Sequence, residues 1–248
     1  MESFHPLVSI LIPNYNKAYY LRETLNSILS QTYSTWECII VDDHSKDNSW
    51  KILNEYRSND SRFRIFRRPD DLTKGGNACR NFALQNAKGP YVIWFDSDDL
   101  MKDFLLENRI LEMENNTKAD FAVFSGCNFF KKIGDGNKVF SWVFHHVHLL
   151  ESFLSLDPPW LTPSCIYKKS FLTDKELFWN LNLTILQDVI FNIKAFTRSG
   201  NIHFSKFPID WYWRWHQDGQ NVGSKRSEIS ALRSFNLVLY EFHKVASE

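Results

Sequence analysis

The chain has little that would serve cross-linking or polyanion binding. Its four cysteines, Cys38, Cys79, Cys127 and Cys165, lie far apart with no CxxC pair. That excludes the common zinc modules and a disulfide framework, and suits a reducing, cytoplasmic compartment. Excess charge is missing too. Twenty-nine Lys and Arg balance 29 Asp and Glu, so there is no net positive field of the kind that drives non-specific nucleic-acid binding. No nucleic-acid partner is expected. No window approaches the roughly 20 apolar residues of a spanning helix. The opening MESFHPLVSILIPNYN has neither a basic n-region nor an uninterrupted apolar stretch, so no signal peptide is expected. No Pro/Gly/Ser-rich stretch or charge block divides the 248 residues, and one domain with a large core is the expectation.

Aromatic residues are abundant: 21 Phe, 9 Tyr and 9 Trp, with Trp211, Trp213 and Trp215 clustered. Such an excess suits a deep cleft or a membrane-facing surface. The 207–215 segment and the last helix are the natural candidates for a peripheral contact with the inner face of the plasma membrane.

Apolar runs and helical stripes alternate along the first half. LVSILI (7–12), WECIIV (36–41), RFRIFRR (62–68), YVIWF (91–95) and ADFAVFSG (119–126) read as strands. The helices between them fall at 18–31, 50–58, 76–87 and 101–116, the first with Leu21, Leu25, Ile28 and Leu29 on one stripe. This order predicts an α/β fold with a mostly parallel sheet covered on both faces. Beyond about residue 125 the pattern loosens. A hairpin strand at 137–144, a helix at 148–156, a short strand at 164–169 and a helix at 185–200 are expected. Residues 202–216 read as two strands turned near Pro208. A closing helix over 225–246 is expected to point Ile229, Leu232, Phe235, Leu239 and Phe242 inward.

The unusual chemistry lies at strand tips. Asp96, Asp98 and Asp99 follow a buried strand at once, although like charges repel and aspartate disfavours strand. Such a D-x-D suits a hard divalent cation bridging a diphosphate, since Mg²⁺ or Mn²⁺ takes one or two protein carboxylates plus phosphate oxygens. A solvated loop capping the next helix is the structural alternative. Asp42 and Asp43 end the second strand in the same way. Asp47 or Asn48 could cap the following helix, while one carboxylate could accept a uracil imide N–H, with Tyr15 stacked on the base. In TKGGNACRN, Gly75 and Gly76 allow close backbone approach to an anion and Arg80 offers a fork for phosphate, although the GxxxxGK[ST] spacing of a P-loop is absent. A glycine turn with a salt-bridged arginine explains the same residues.

Taken in order, SILIPNYNKAYYLRETLNSILSQTYSTWECIIVDDHSKDNS, GGNACRNFAL and YVIWFDSDD resemble glycosyltransferase family 2, the inverting nucleotide-sugar enzymes of GT-A fold. The likeness is dense over 7–100 and looser to about 224. It implies a single GT-A domain, with residues 1–125 as the nucleotide-sugar half and 126–248 as the acceptor half and closing helix. It implies that Pro13, Tyr15 and Asp43 bind the base, that Gly76 and Arg80 lie near the nucleotide, that Asp98 is close to the ribose or diphosphate, and that Asp99 or Asp96 approaches the metal. Asp98, Asp99 and His216 are the implied ligands of Mn²⁺ or Mg²⁺. Asp188 is the implied general base, preceded by Gln187 where the family usually has Glu. The expected reaction moves a sugar from a nucleotide sugar, a UDP-sugar by expectation, to a glycan or lipid-linked acceptor in cell-surface polysaccharide synthesis. Arg214 stands beside His216, and PPWLTPS either shapes the acceptor side, with Trp160 stacked on a sugar, or is a rigid loop. A catalytically inactive sugar-nucleotide scaffold is the alternative that Gln187 suggests. A nucleotidyltransferase is disfavoured because no glycine-rich loop follows the first strand.

Overall fold

A computed structural model describes residues 5–141, 149–155, 157–216, 236–240 and 243. Its central sheet has seven strands. Strand β1 (Val8–Asn14) lies between β2 (Trp36–Asp42) and β4 (Tyr91–Trp94), parallel to both, and β3 (Phe63–Arg67) extends the parallel side beyond β2. On the other side β9 (Cys165–Lys168) runs antiparallel between β4 and β6 (Phe121–Val123), and β10 (Ile202–Phe204) closes the edge parallel to β6.

Two apolar layers sandwich this sheet because successive strand residues face opposite ways. Val8, Ile10, Ile12, Cys38 and Ile40 point into one layer with Leu21, Leu25 and Ile28 of α1 (Ala18–Leu29), Ile52 and Leu53 of α2 (Ser49–Asn59), and Ile110 and Met113 of α4 (Leu105–Asn115). Leu11, Ile39, Val41, Val92 and Trp94 point into the other. There they meet Ala83 and Leu84 of α3 (Gly76–Asn86), Phe171 and Leu172 of α6 (Lys169–Asp174), and Phe191 and Ile193 of α7 (Gln187–Arg198). The expected α/β class with a mostly parallel sheet is what forms.

A second sheet of four strands, ordered β5-β11-β7-β8, contains β5 (Leu100–Met101), β7 (Gly126–Phe129), β8 (Val139–Phe140) and β11 (Trp211–Arg214). It accounts for several departures from the sequence reading. The run at 101–116 turns helical only at Leu105, because Met101 pairs with Trp211 and the next amide, Lys102 N–H, donates to Asp210. ADFAVFSG divides at its glycine: a Cβ on Gly126 would fall 2.0 Å from a ring carbon of Trp211, so only glycine lets β7 pass beside β11. The two strands of 202–216 are not a hairpin, since β10 joins the central sheet and β11 the second.

Leu29 and Leu239, expected inward, are 39% and 50% exposed, while their neighbours Ile28 and Val238 are buried. Residues 236–240 and 243 are helical, while Ile229, Leu232, Phe235 and Phe242 lie outside the described residues. Trp160 is fully buried, packed edge-on against Phe153 of α5 (Leu149–Leu154) at 4.7 Å, so it offers no face to a sugar. Among the described residues no helix is long and apolar enough to cross a membrane.

Candidate active site

Because β1, β2 and β4 are parallel, residues 13–17, 42–45 and 95–99 emerge along one edge of the sheet, where ligands of open α/β sheets lie. The two aspartates after β2 are separated in role. Asp42 is buried and spent on structure, accepting from Asn14 Nδ2 at 2.8 Å and from the Ser45 amide and hydroxyl at 3.0 and 2.6 Å. Asp43 accepts from Arg68 Nε at 2.5 Å and from the Gly75 amide at 3.0 Å. Each carboxylate oxygen keeps a lone pair beyond these bonds. Asp47 serves two helix starts, accepting from Ala18 N–H and Ser49 N–H, both at 2.9 Å, which leaves Asn48 without a side-chain cap bond.

Gly75 adopts φ 131°, a conformation open to glycine and costly for other residues, and so directs its amide to Asp43. At Gly76 an added Cβ would stand 3.1 Å from Arg80 Nη1 and 4.0 Å from Pro13 Cβ, so these three expected nucleotide-side residues are neighbours. Tyr15 is 42% exposed, with the Lys74 ammonium 4.9 Å above its ring. Arg80 is nearly buried. It holds Asp96 at 2.8 Å and lies 4.5 Å over the Trp179 ring, and its Nε finds no hydrogen-bond partner among the described residues.

Asp98 and Asp99 have opposite surroundings. Asp98 Oδ2 receives Lys17 Nζ at 2.5 Å and faces His216 Nε2 at 2.7 Å. Burial pushes its carboxyl up, but the His216 bond and the Lys17 charge outweigh that and hold it below the usual range. Asp99 is fully enclosed: Oδ1 accepts the Arg214 amide at 2.9 Å and Oδ2 has no partner among the described residues. Burial first, then the charges of Asp98 and Asp96, raise it well above an ordinary aspartate. Arg214 also donates from Nε to the Asp98 carbonyl at 2.9 Å, pairs with Glu23, and packs 4.7 Å from Tyr20 and 4.4 Å from Phe129. It therefore fixes the backbone of the acidic turn from the second sheet.

Asp188 stands in the first turn of α7, whose preceding residue Leu186 takes φ 54°. Burial raises its carboxyl above the ordinary aspartate range, with the Val189 amide and then the Arg80 charge pulling it back. Contacts thus join Gly76, Pro13, Arg80 and Asp96 in one group and Lys17, Asp98, Asp99, Arg214 and His216 in another, while Asp43 is held by Arg68 and Gly75.

Asp98 supplies the hard carboxylate oxygen that Mn²⁺ or Mg²⁺ prefers, and His216 stands against it with an imidazole nitrogen, a donor that softer transition metals favour. Among the described residues no group of three or more His, Cys, Asp or Glu side chains converges to hold a metal ion. An ion completed by phosphate oxygens needs only one or two protein carboxylates, and Asp98 supplies one, with His216 beside it as a further donor. Lys17, Arg68 and Glu23 escaped the sequence reading, since nothing local marks a loop lysine or a strand-end arginine as a partner of a distant aspartate.

The family model for glycosyl transferase family 2 matches residues 9–175. The chain belongs to this family. Among family 2 relatives, it is 37% identical over 111 residues to the UDP-Glc:alpha-D-GlcNAc-diphosphoundecaprenol beta-1,3-glucosyltransferase WfgD of Escherichia coli, covering 44% of this chain and 42% of that protein. To the poly(ribitol-phosphate) beta-N-acetylglucosaminyltransferase TarS of Staphylococcus aureus it is 26% identical over 249 residues, 95% of this chain and 42% of TarS. It therefore spans less than half the length of either relative. A crystal structure of TarS 1-349 with UDP-GlcNAc superposes with a TM-score of 0.73, 21% identity, and coverage of 91% and 66%. A mannosyltransferase of Pyrobaculum calidifontis with GDP-Man and Mn²⁺ gives 0.65 at 16% identity, covering 99% and 66%. The expected GT-A fold of this family 2 chain is thereby established.

Proposed function

We propose that this family 2 chain is an inverting glycosyltransferase. In this reading it moves a sugar from a UDP-sugar to a hydroxyl of a glycan or lipid-linked acceptor in cell-surface polysaccharide synthesis. WfgD, by its name, uses UDP-Glc and a diphosphoundecaprenol-linked sugar, and TarS acts on poly(ribitol-phosphate) and has been crystallised with UDP-GlcNAc. Those chemistries support the donor and acceptor classes assigned here. The observation that carries the proposal is the acidic turn at the carboxyl end of β4, where Arg80 holds Asp96 and where Lys17 and His216 meet at Asp98.

Asp43 accepts from the imide N–H of the base, Tyr15 and Pro13 flank the ring, and Gly76 leaves room beside Arg80 for the phosphates. Asp188 takes the acceptor's hydroxyl proton as that oxygen bonds to the anomeric carbon. The bond from that carbon to the diphosphate breaks on the opposite face, and UDP leaves with the electron pair. Asp98 and His216 would hold Mn²⁺ or Mg²⁺, which when bound supplies positive charge to the departing diphosphate. Arg214, which donates to Asp99 and to the Asp98 carbonyl, holds the acidic turn in position.

The test is incubation of the protein with Mn²⁺ and a panel of nucleotide sugars, following thermal stabilisation and nucleoside diphosphate release. Metal-dependent stabilisation by UDP together with slow release from a UDP-sugar is expected. Binding without turnover on every acceptor would replace the enzyme by the scaffold that Gln187 suggests. Stabilisation by a guanine or thymine nucleotide but not UDP would overturn the donor.

A further inference from the structure

Lys17 precedes the first residue of α1, and its backbone is held by neighbours: its amide donates to Ser49 Oγ at 3.1 Å, and the next amide donates to Asp47 at 2.9 Å. With the backbone fixed, only the four-carbon stem is left to swing. That stem carries the ammonium to Asp98 Oδ2 at 2.5 Å, the same oxygen that lies 2.7 Å from His216 Nε2, and sets Nζ 3.5 Å from that nitrogen. Tyr20 lies beneath both groups, its ring 5.9 Å from Nζ and 4.8 Å from the imidazole. One positive charge is therefore seated on the shared oxygen, beside the carboxylate–imidazole pair assigned above to a divalent ion.

An ammonium offers three donors and no lone pair, so it cannot coordinate a metal or share this small space with one. Yet it balances the same carboxylate charge that a metal would. Resting on the assignment of the ion to Asp98 and His216, we infer that Lys17 is a resident counter-cation that fills the divalent-ion position of the donor-free protein. It leaves when ion and nucleotide diphosphate arrive together. The diphosphate brings its own negative charge, which gives the released ammonium a new partner on the donor. The metal is then bound as part of the donor complex and weakly without it, an ordering that follows from the competition for one oxygen.

Direct Mn²⁺ titration of the full chain, read by loss of the free-ion electron paramagnetic resonance signal, tests this without reference to turnover. Lys17→Met, and Lys17→Gln as a second neutral variant, should bind Mn²⁺ alone at least about tenfold more tightly than wild type, the order expected for removing a charged hydrogen bond. Lys17→Arg should not. UDP should strengthen Mn²⁺ binding by a larger factor in wild type than in Lys17→Met. The tightening should vanish when Asp98→Asn is added, and tightening that persists there would locate the ion elsewhere and overturn the inference. Equal Mn²⁺ affinity of wild type and both neutral variants would overturn the role of Lys17 and leave the metal assignment standing. No Mn²⁺ uptake by any of these proteins, with or without UDP, would overturn both.

Discussion

Three aspartates decide the chemistry at the scale of single residues, and their environments separate them. Asp98 is held below the ordinary aspartate range by His216 and Lys17, Asp99 is pushed well above it by burial and by its neighbours' charges, and Asp188 is raised chiefly by burial. A base has to be ionised before it can accept a proton. Transfer should therefore fall as pH drops through the raised value of Asp188, at a higher pH than the roughly 3.9 of an ordinary aspartate would give. The pH profile of single-turnover transfer measures this limb. Asp188→Asn should lower kcat by about 10²- to 10⁴-fold, the usual worth of a positioned general base. Its UDP affinity should stay near wild type; loss of UDP binding instead would make Asp188 a donor contact. The D-x-D at a strand tip was legible in the sequence because three carboxylates after an apolar run conflict with strand formation. The Lys17–Asp98 pair was not, since its members are 81 positions apart and a lone lysine in a loop ordinarily faces water.

Helix α3 shows how an element transmits order from the donor side to Asp188. Its Asn77 donates to the carbonyls of Asn180 and Leu183 at 2.8 and 3.0 Å, and Asn81 both donates to the Trp179 carbonyl and accepts its amide, each at 2.9 Å. The loop so clasped leads into α7, and Trp179 stacks on Phe191 of that helix at 4.5 Å and 8°. Asn77→Ala would leave two enclosed carbonyls without this partner, at a cost of about 1–3 kcal/mol. The urea midpoint should fall accordingly, and kcat should drop more than UDP affinity because Asp188, not the base pocket, loses its support. A parallel fall in both would show that α3 acts through the nucleotide instead. The GGNACRN segment could be read as a helix after a glycine turn, but its partners could not, because they depend on a loop about a hundred residues later. Local stripes of 3.6 period marked α1, α2, α3 and α7 well. Strands of two to four residues in the second sheet carry too few side chains to show a period, and they form only through pairing with distant segments.

The whole molecule depends on how that second sheet is fixed against the first. Arg214 ties β11 to the acidic turn, and deeper in, Arg109 of α4 holds Asp210 through Nε at 2.8 Å and Nη2 at 2.9 Å, both side chains wholly buried. Arg109 also donates to the Pro163 carbonyl at 2.8 Å, so one guanidinium joins helix α4, the turn before β9 and the residue before β11. Removing one member of such a pair strands the other, and Arg109→Met should cost about 3–5 kcal/mol. Burial already raises the Asp210 carboxyl even with Arg109 pulling it down. In the variant that pull is gone, so the folded-state value rises further above the unfolded one. The protonated carboxyl is then tolerated, and the deficit relative to wild type should be smallest at low pH and grow as pH climbs through the raised value. Paired urea titrations of wild type and variant across pH measure that difference. Adding Asp210→Asn, which removes the stranded charge, should restore part of the loss at neutral pH. A deficit that is the same at every pH, with no recovery in the double variant, would mean that the guanidinium's carbonyl bonds and packing, rather than its pairing with Asp210, join the two sheets.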